Sequence, residues 1–251
     1  MQGYILKIAY KGTNYCGWQV QPDKPTVQAT LQAAIEDAFG CKTELTGCSR
    51  TDAGVHARGF VATVRGDMLP KIKHESLVLA INTKLPGDIS VLAAADADDS
   101  FHPRYSAIGK EYVYIVHNSR IKNPFTEDTA WQFPRRIDEK AAKELCQKFV
   151  GKKDFCAFMA AGSKIVDTVR EVKYFDVCRN GDEVIFKVAA DGFLYNMVRI
   201  MVGTVAEAAA GGRIMPIEEI IYSKNRANAG VTASAKGLTL NRVFYNEEIF
   251  K

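Results

Sequence analysis

One short loop combines residue types that can carry out nucleophilic or acid–base chemistry. The segment Gly47–Ala57 reads GCSRTDAGVHA and holds an aspartate, an arginine, a histidine and two glycines between two strand-like segments. These glycines allow sharp turns, and a loop between strands can present polar groups to a ligand. We therefore select Asp52 as the candidate catalytic group. Taken alone, the loop also fits a structural role, because Ser49, Thr51 and Asp52 are turn formers that bind nearby backbone amides.

A second candidate is Arg199, which lies within an apolar segment that predicts a buried helix. A guanidinium cannot lose its proton, so burying it without a partner is costly and the sequence predicts a carboxylate nearby. A catalytic carboxylate in a closed cleft needs a cation to stay ionised, which makes Arg199 the candidate partner of Asp52. A structural ion pair or a side chain that reaches water is the alternative.

Both candidates belong to a series of short motifs that occur in one order along nearly the whole chain. The motifs are YKGTNYCGWQ (10–19), TVQ (26–28), RTDAGVH (50–56), LPGDI (85–89), FHPRYSA (101–107), KEYVY (110–114), GFLYNMVR (192–199) and GLTL (237–240). Together they resemble the tRNA pseudouridine synthase A family. Two positions depart from the family pattern: Lys11 stands where an aspartate is common, and Gly59-Phe60 where a glutamine often follows the glycine. Neither touches the expected chemistry.

The resemblance implies a cofactor-free enzyme that converts uridine to pseudouridine at positions 38, 39 and 40 of the tRNA anticodon stem-loop. It also implies a homodimer and leaves no expectation of DNA binding. The reaction requires an ionised carboxylate, a platform for the detached base and a site that excludes water. By the match, Asp52 is the catalytic aspartate, Tyr112 the active-site tyrosine and Arg199 the cation that pairs with the aspartate.

Other side chains are candidates for contact with the RNA. The Tyr112 ring could stack on the uracil, although Tyr114 shares its strand face and aromatic stripes are usually core. Arg50 could replace a flipped base or hold the backbone, or it could be a solvated loop arginine. Leu238, by the match, could pack beside the uracil, with a core leucine as the alternative. Further candidates, each with a plain surface or turn role as the alternative, are Arg58, His56, Arg104, Lys110 and His102.

Hydrophobic periodicity predicts the elements that position these groups. Apolar residues in 27–39 share one helical face, with Thr26 as the N-cap and Gly40 as the stop. A second helix is predicted over residues 75–85, and strands over 4–10, 43–48, 59–64 and 89–94. This order is typical of a split β-α-β lobe with an antiparallel sheet.

The acidic run 96–100, followed by Pro103, is the predicted linker. After it the pattern predicts a strand at 110–117, a helix at 137–150, a hairpin of 169–178 and 184–190 around Asn180-Gly181, a buried helix at 195–210 and a strand at 238–245. We predict an α+β fold with an N-terminal lobe, residues 1–100, and a C-terminal lobe, residues 101–251. The resemblance implies two ferredoxin-like lobes whose antiparallel sheets meet at a central active-site cleft.

Composition excludes several classes of protein. No stretch approaches the roughly 18 apolar residues of a membrane span, and no secretory signal pattern is present, so we expect a cytoplasmic protein with no membrane partner. The six cysteines and four histidines lack metal-ligand or disulfide spacing, and there is no phosphate-binding glycine loop. We therefore predict no metal and no cofactor. The net charge of +4 favours a polyanionic partner without identifying it.

Two alternatives stay open. A noncatalytic RNA-binding protein could use the same two lobes, although it would need a defective site. A synthase of the same family could act on another RNA uridine, since target choice depends on surface loops. The segment 120–136 is where we expect such a change, and its basic residues Lys122, Arg135 and Arg136 could contact phosphates.

Overall fold

The computed structural model describes residues 2–163 and 165–250, which form a mixed α+β fold in two compact units. Unit 1 comprises the residues up to Ile108 together with those from Thr239 onwards, and unit 2 comprises Gly109–Leu238. The division differs from the predicted boundary at residue 100, because residues 101–108 and the C-terminal strand belong with the first unit. No helix in the described part of the chain is long and apolar enough to cross a bilayer.

The order of strands and helices in unit 1 differs from that in unit 2. The strands are β1 (Gln2–Tyr10), β2 (Glu44–Gly47), β3 (His56–Gly66), β4 (Ile89–Asp96), β5 (Gly109–His117), β6 (Trp131–Gln132), β7 (Gly151–Asp154), β8 (Val169–Asn180), β9 (Glu183–Ala190) and β10 (Leu238–Phe244). The helices are α1 (Val27–Phe39), α2 (His74–Asn82), α3 (Glu139–Gln147), α4 (Met197–Ala209) and α5 (Ile217–Ser223). Short 3-10 turns lie at Gly12–Asn14, Cys156–Phe158, Arg226–Asn228 and Ala235–Gly237.

In unit 1 the predicted order of strands and helices is confirmed. The α1 helix has the predicted bounds: the Thr26 side chain accepts a hydrogen bond from the Ala29 amide, and Gly40 ends the helix in the left-handed conformation. Antiparallel pairs join β4 to β1, β1 to β3 and β3 to β2. The α2 helix is shorter than predicted and ends at Asn82.

The expectation of antiparallel sheets is correct for most strand pairs and wrong at two of them. The β10 strand pairs with the start of β3 in parallel, through Thr239 with His56 and Leu240 with Ala57. In unit 2 the short β6 strand pairs with β5, also in parallel. A parallel partner requires a long crossover connection rather than a hairpin. The chain between β3 and β10 supplies one, and β10 returns the chain to unit 1.

Unit 2 contains a sheet of β5, β9, β8 and β7 in that order, with antiparallel neighbours. The predicted β8–β9 hairpin is confirmed, but its turn lies one residue later. Asn180 pairs with Glu183, so Gly181 and Asp182 form the loop, and of these two only Gly181 has a positive φ, 58°. The predicted buried helix is α4, in which ten of thirteen residues are buried. The periodicity missed β6, β7 and α5, since such short segments carry little pattern.

The left-handed Gly40 provides a test of how α1 ends. Its φ is 65° and nothing lies within 4 Å of the position that a Cβ atom would take, so backbone strain is the main cost of adding one. We expect Gly40→Ala to lower Tm by about 2–4 °C, corresponding to about 1 kcal/mol. Gly40→Asn should lower it less, because asparagine tolerates this conformation better. Equal Tm values for the two variants in a thermal melt would contradict this assignment.

Candidate active site

Asp52 lies in a tight turn between β2 and β3 and is partly exposed. The Val55 amide donates a hydrogen bond of 3.1 Å to the Asp52 carbonyl oxygen, which closes the turn. Gly54 supplies the positive φ, 77°, that the third residue of such a turn needs. The aspartate therefore stands at the start of a defined turn and not in an extended loop.

Residues 10–18, which we call the brace segment, hold the chain immediately before Asp52. The Trp18 amide donates to the Thr51 carbonyl oxygen at 3.1 Å. The Thr51 hydroxyl also shares a hydrogen bond of 2.8 Å with the Tyr10 hydroxyl, and this pair is buried. Both the backbone and the side chain of Thr51 are thus fixed next to the candidate carboxylate.

The brace segment also holds the chain after Asp52. The Gly54 amide donates to the Tyr15 carbonyl oxygen at 3.3 Å, and the Gly12 amide donates to Nδ1 of His56 at 2.9 Å. His56 is 5% exposed. Its ring therefore accepts a hydrogen bond from the backbone of the brace segment. The sequence had suggested a contact with RNA for His56 and gave no sign of this structural one.

Two glycines of the brace segment are required by the closeness of this contact. A Cβ atom on Gly12 would lie 2.0 Å from the Val55 carbonyl oxygen. One on Gly17 would lie 2.5 Å from the Thr51 carbonyl oxygen, and Gly17 has a φ of 92°. No side chain fits at either position, which gives a physical reason for the glycines in YKGTNYCGWQ.

A third segment, residues 85–89, holds the brace segment in place. The Asp88 carboxylate accepts hydrogen bonds from the Tyr15 hydroxyl at 2.6 Å and from Asn14 at 3.0 Å, and its carbonyl oxygen accepts one from the Lys11 amide at 2.9 Å. Burial, followed by the hydrogen bond and charge of Asp88, raises the pKa of Tyr15, so this phenol stays protonated and remains a donor. The motif at 85–89 thus supports the turn of Asp52 through the brace.

Aromatic packing also holds both ends of the brace segment, Tyr10 and Trp18. Trp18 is 2% exposed and stacks on Phe60 with ring centroids 4.0 Å apart, and the Tyr10 ring lies 5.7 Å from that of Phe60. Trp18 is therefore a packing residue of the core of unit 1.

In unit 2, Arg199 lies in the first turn of α4 and is partly exposed. Its Nε donates to the Ala233 carbonyl oxygen and its Nη1 to Oδ1 of Asn196, each at 2.7 Å. The fully buried Tyr114 donates its hydroxyl to the Ser234 carbonyl oxygen at 2.6 Å. Burial raises the pKa of Tyr114 well above its usual value, although the charge of Arg199 opposes this shift.

The remaining predicted site residues are buried, half-buried or exposed. Tyr112 is 7% exposed and contacts Phe193 edge-to-face at 5.1 Å, and Leu238 is also buried. Arg104 is exposed with its guanidinium 5.8 Å from the centre of the Tyr105 ring. The other predicted RNA contacts comprise two exposed arginines, a half-buried lysine and a half-buried histidine: Arg50, Arg58, Lys110 and His102.

The chain is similar to known proteins over nearly its whole length. A family model described as tRNA pseudouridine synthase matches residues 7–106 and 145–246. The tRNA pseudouridine synthase A of Clostridium kluyveri is 42% identical over 98% of this chain and 100% of its own length. Those of Thermoanaerobacter sp. and Brachyspira hyodysenteriae are 40% and 38% identical, over 98% and 99% of this chain and all of their own.

Among solved structures, a chain of a Cbf5-Nop10-Gar1 complex aligns with 96% of this chain and 59% of its own length, at 15% identity and a TM-score of 0.41. The ranges matched by the family model include the Asp52 turn and Arg199, and Tyr112 lies between them.

The contact at Gly12 can be tested by adding one methyl group. Gly12→Ala should destabilise the protein by about 1–3 kcal/mol, because the new Cβ atom overlaps the Val55 carbonyl oxygen and the brace must move away. The Trp18 and Gly54 amides should then exchange faster with deuterium. Gly87→Ala is the control, since nothing lies within 4 Å of a Cβ atom there. Unchanged exchange of both amides in Gly12→Ala would show that the brace does not depend on this glycine.

Proposed function

Because the chain belongs to the tRNA pseudouridine synthase A family, whose members are isomerases, we propose that it converts uridines 38, 39 and 40 of the tRNA anticodon stem-loop to pseudouridine with Asp52 as the catalytic carboxylate. The observation that carries this proposal is the fixed turn of Asp52. Its chain is hydrogen-bonded to the brace segment on both sides, through Thr51 and Gly54. A catalytic group held in this way needs little reorganisation when the substrate binds.

The proposed reaction is an isomerisation without redox change. The bond between N1 of uracil and C1′ of ribose breaks, the detached base turns, and C5 bonds to the same C1′. The proton on C5 is then removed and N1 gains one, so the atoms balance. Asp52 acts in its ionised form, either as the nucleophile at the sugar or as the base that removes a sugar proton.

Arg199 and Tyr112 are the proposed partners of Asp52 in this reaction. A guanidinium keeps its charge at any working pH, so Arg199 can favour the ionised carboxylate throughout. Two hydrogen bonds of Arg199 go to neutral oxygens, those of Ala233 and Asn196, and these do not cancel its charge. Tyr112 offers the face of its ring to the detached base, and Leu238 an apolar contact.

The exposed arginines Arg50, Arg58 and Arg104 are the proposed contacts with the RNA outside the reacting nucleotide. Arg50, two residues before Asp52, is suited to hold the backbone or fill the stack beside a flipped uridine. We also propose that the protein acts as a homodimer, in which one subunit grips the tRNA body while the other carries out the reaction. Sedimentation of the protein with and without tRNA tests that assembly.

Substitution of Asp52 tests the catalyst. Asp52→Asn should lower the rate of pseudouridine formation more than about 100-fold, because an amide can neither attack the sugar nor accept its proton. Its affinity for tRNA should stay close to that of the unsubstituted protein. The measurement is chemical labelling and primer extension on unmodified tRNA after incubation without any cofactor.

The positions labelled in that experiment separate the alternatives. Product at 38 to 40 that disappears in Asp52→Asn supports the proposal. Product at another uridine would keep the chemistry and replace the target, whereas tight binding without product would favour a noncatalytic RNA-binding protein. Full activity of Asp52→Asn would remove Asp52 as the catalyst.

A matched substitution tests the RNA contact of Arg50. Arg50→Ala should weaken tRNA binding and reduce the slope of log affinity against log salt by about one, as expected for one lost phosphate contact. Arg170→Ala is the control, because Arg170 is a unit 2 arginine whose Nη1 donates to the backbone oxygens of Asp167 and Val169. An identical salt slope for Arg50→Ala and the unsubstituted protein would exclude a phosphate contact.

A further inference from the structure

The residue before α4 has a backbone conformation that needs an explanation. Asn196 has φ 59° and ψ 10°, the left-handed conformation. In the described part of the chain only two other residues besides glycines have positive φ, namely Asp23 and Lys224. Asparagine tolerates this conformation better than most residues, but it is still disfavoured relative to an ordinary helix start.

The usual reason for an asparagine at this position is missing. An N-cap residue normally has extended backbone, and its side chain accepts a hydrogen bond from an amide of the first turn. The Asn196 side chain makes no such cap bond. Its Oδ1 instead accepts a hydrogen bond of 2.7 Å from Nη1 of Arg199, three residues later. Its carbonyl oxygen still accepts from the Ile200 amide at 3.0 Å, so the helix starts normally.

A second contact of Arg199 is made with Ala233. Arg199 and Ala233 are joined twice: Nε of the arginine donates to the Ala233 carbonyl oxygen, and the Ala233 amide donates to the Arg199 carbonyl oxygen at 3.1 Å. The segment that carries Ala233 approaches α4 closely because of Gly203, where a Cβ atom would lie 2.0 Å from the Val231 carbonyl oxygen.

Hydrogen bonds to two different nitrogens determine the plane of a guanidinium as well as its position. The bond from Nε fixes the group at one point, and the bond from Nη1 to Asn196 fixes it at a second. The acceptor on Asn196 is a neutral amide oxygen. The left-handed backbone of Asn196 is what places Oδ1 beside the arginine and not beside the first-turn amides.

We propose that Asn196 is a positioning residue for the reaction, which orients the Arg199 guanidinium and acts only through it. The proposal rests on the role of Arg199 in the proposed function. It gives the strained residue at the start of α4 a positioning role, where its place before the helix alone would suggest a simple cap.

Asn196→Gly separates the side chain from the backbone. Glycine adopts the left-handed conformation without strain, so the helix start is kept and only the hydrogen-bond acceptor is lost. We expect kcat for pseudouridine formation to fall about 10- to 100-fold, as for other misplaced catalytic groups, with KM nearly unchanged. The Tm of Asn196→Gly should stay within about 3 °C of that of the unsubstituted protein.

Two further variants make the test specific. Asn196→Ala, which loses the acceptor and also strains the backbone, should lower Tm further but lower kcat by the same factor as Asn196→Gly. In an Arg199→Lys background, where the planar fork is already gone, Asn196→Gly should cause no additional loss of kcat. Full kcat in Asn196→Gly would overturn the proposal. So would a double variant whose kcat falls by the product of the two single losses.

Failure of the proposed function, of the role of Arg199 and of the role of Asn196 would each give a different result. If the unsubstituted protein forms no pseudouridine, the proposed function is wrong and this role falls with it. If the protein is active and Arg199→Lys keeps full kcat, the role of Arg199 is wrong and Asn196 cannot act through it. If Arg199→Lys is impaired while Asn196→Gly is not, the proposed function stands and only the role of Asn196 is overturned.

Discussion

The close backbone approach between the brace segment and the turn of Asp52 is the constraint on which the candidate site depends. At Gly12 there is no room for even one methyl group, because the Val55 carbonyl oxygen lies only 2.0 Å from the position of a Cβ atom. This approach brings backbone donors of both segments into hydrogen-bonding range. Loops that carry functional groups are usually the mobile part of a protein. Here Asp52 stands between Thr51 and Gly54, which are both fixed to the brace segment.

A glycine also permits a close backbone approach near Arg199. Gly203 allows the backbone around Val231 to lie directly against α4, and this contact aligns the reciprocal hydrogen bonds between Arg199 and Ala233. In both places a glycine removes a side chain so that peptide groups can meet. Near Asp52 the resulting hydrogen bonds fix the neighbouring main chain, and at Arg199 one of them reaches the guanidinium itself. Such fixed dipoles and charges are effective in catalysis because they need not rearrange as charge develops.

The polar residues divide into those held by the fold and those left to solvent. His56 and Asp88 are committed to the brace segment, where they accept hydrogen bonds from Gly12 and Tyr15. Arg50 and Arg58, in contrast, are exposed near the ends of the same loop. Held groups set the geometry of the site, while exposed arginines suit a polyanion whose backbone attracts them over a longer range.

The roles of Asp52 and Arg199 rest partly on the family resemblance and stay predictions. Local patterns in the sequence were sufficient for the helix at Val27–Phe39 with both of its caps and for the β8–β9 hairpin. They could not assign the role of His56, or explain the glycines of YKGTNYCGWQ, since both depend on which distant residues meet them. The His56 ring meets an amide 44 positions away, and Tyr15 meets Asp88 across 73 positions. Those contacts depend on the pairing of β1 with β3 and β4, so tertiary structure alone decided them.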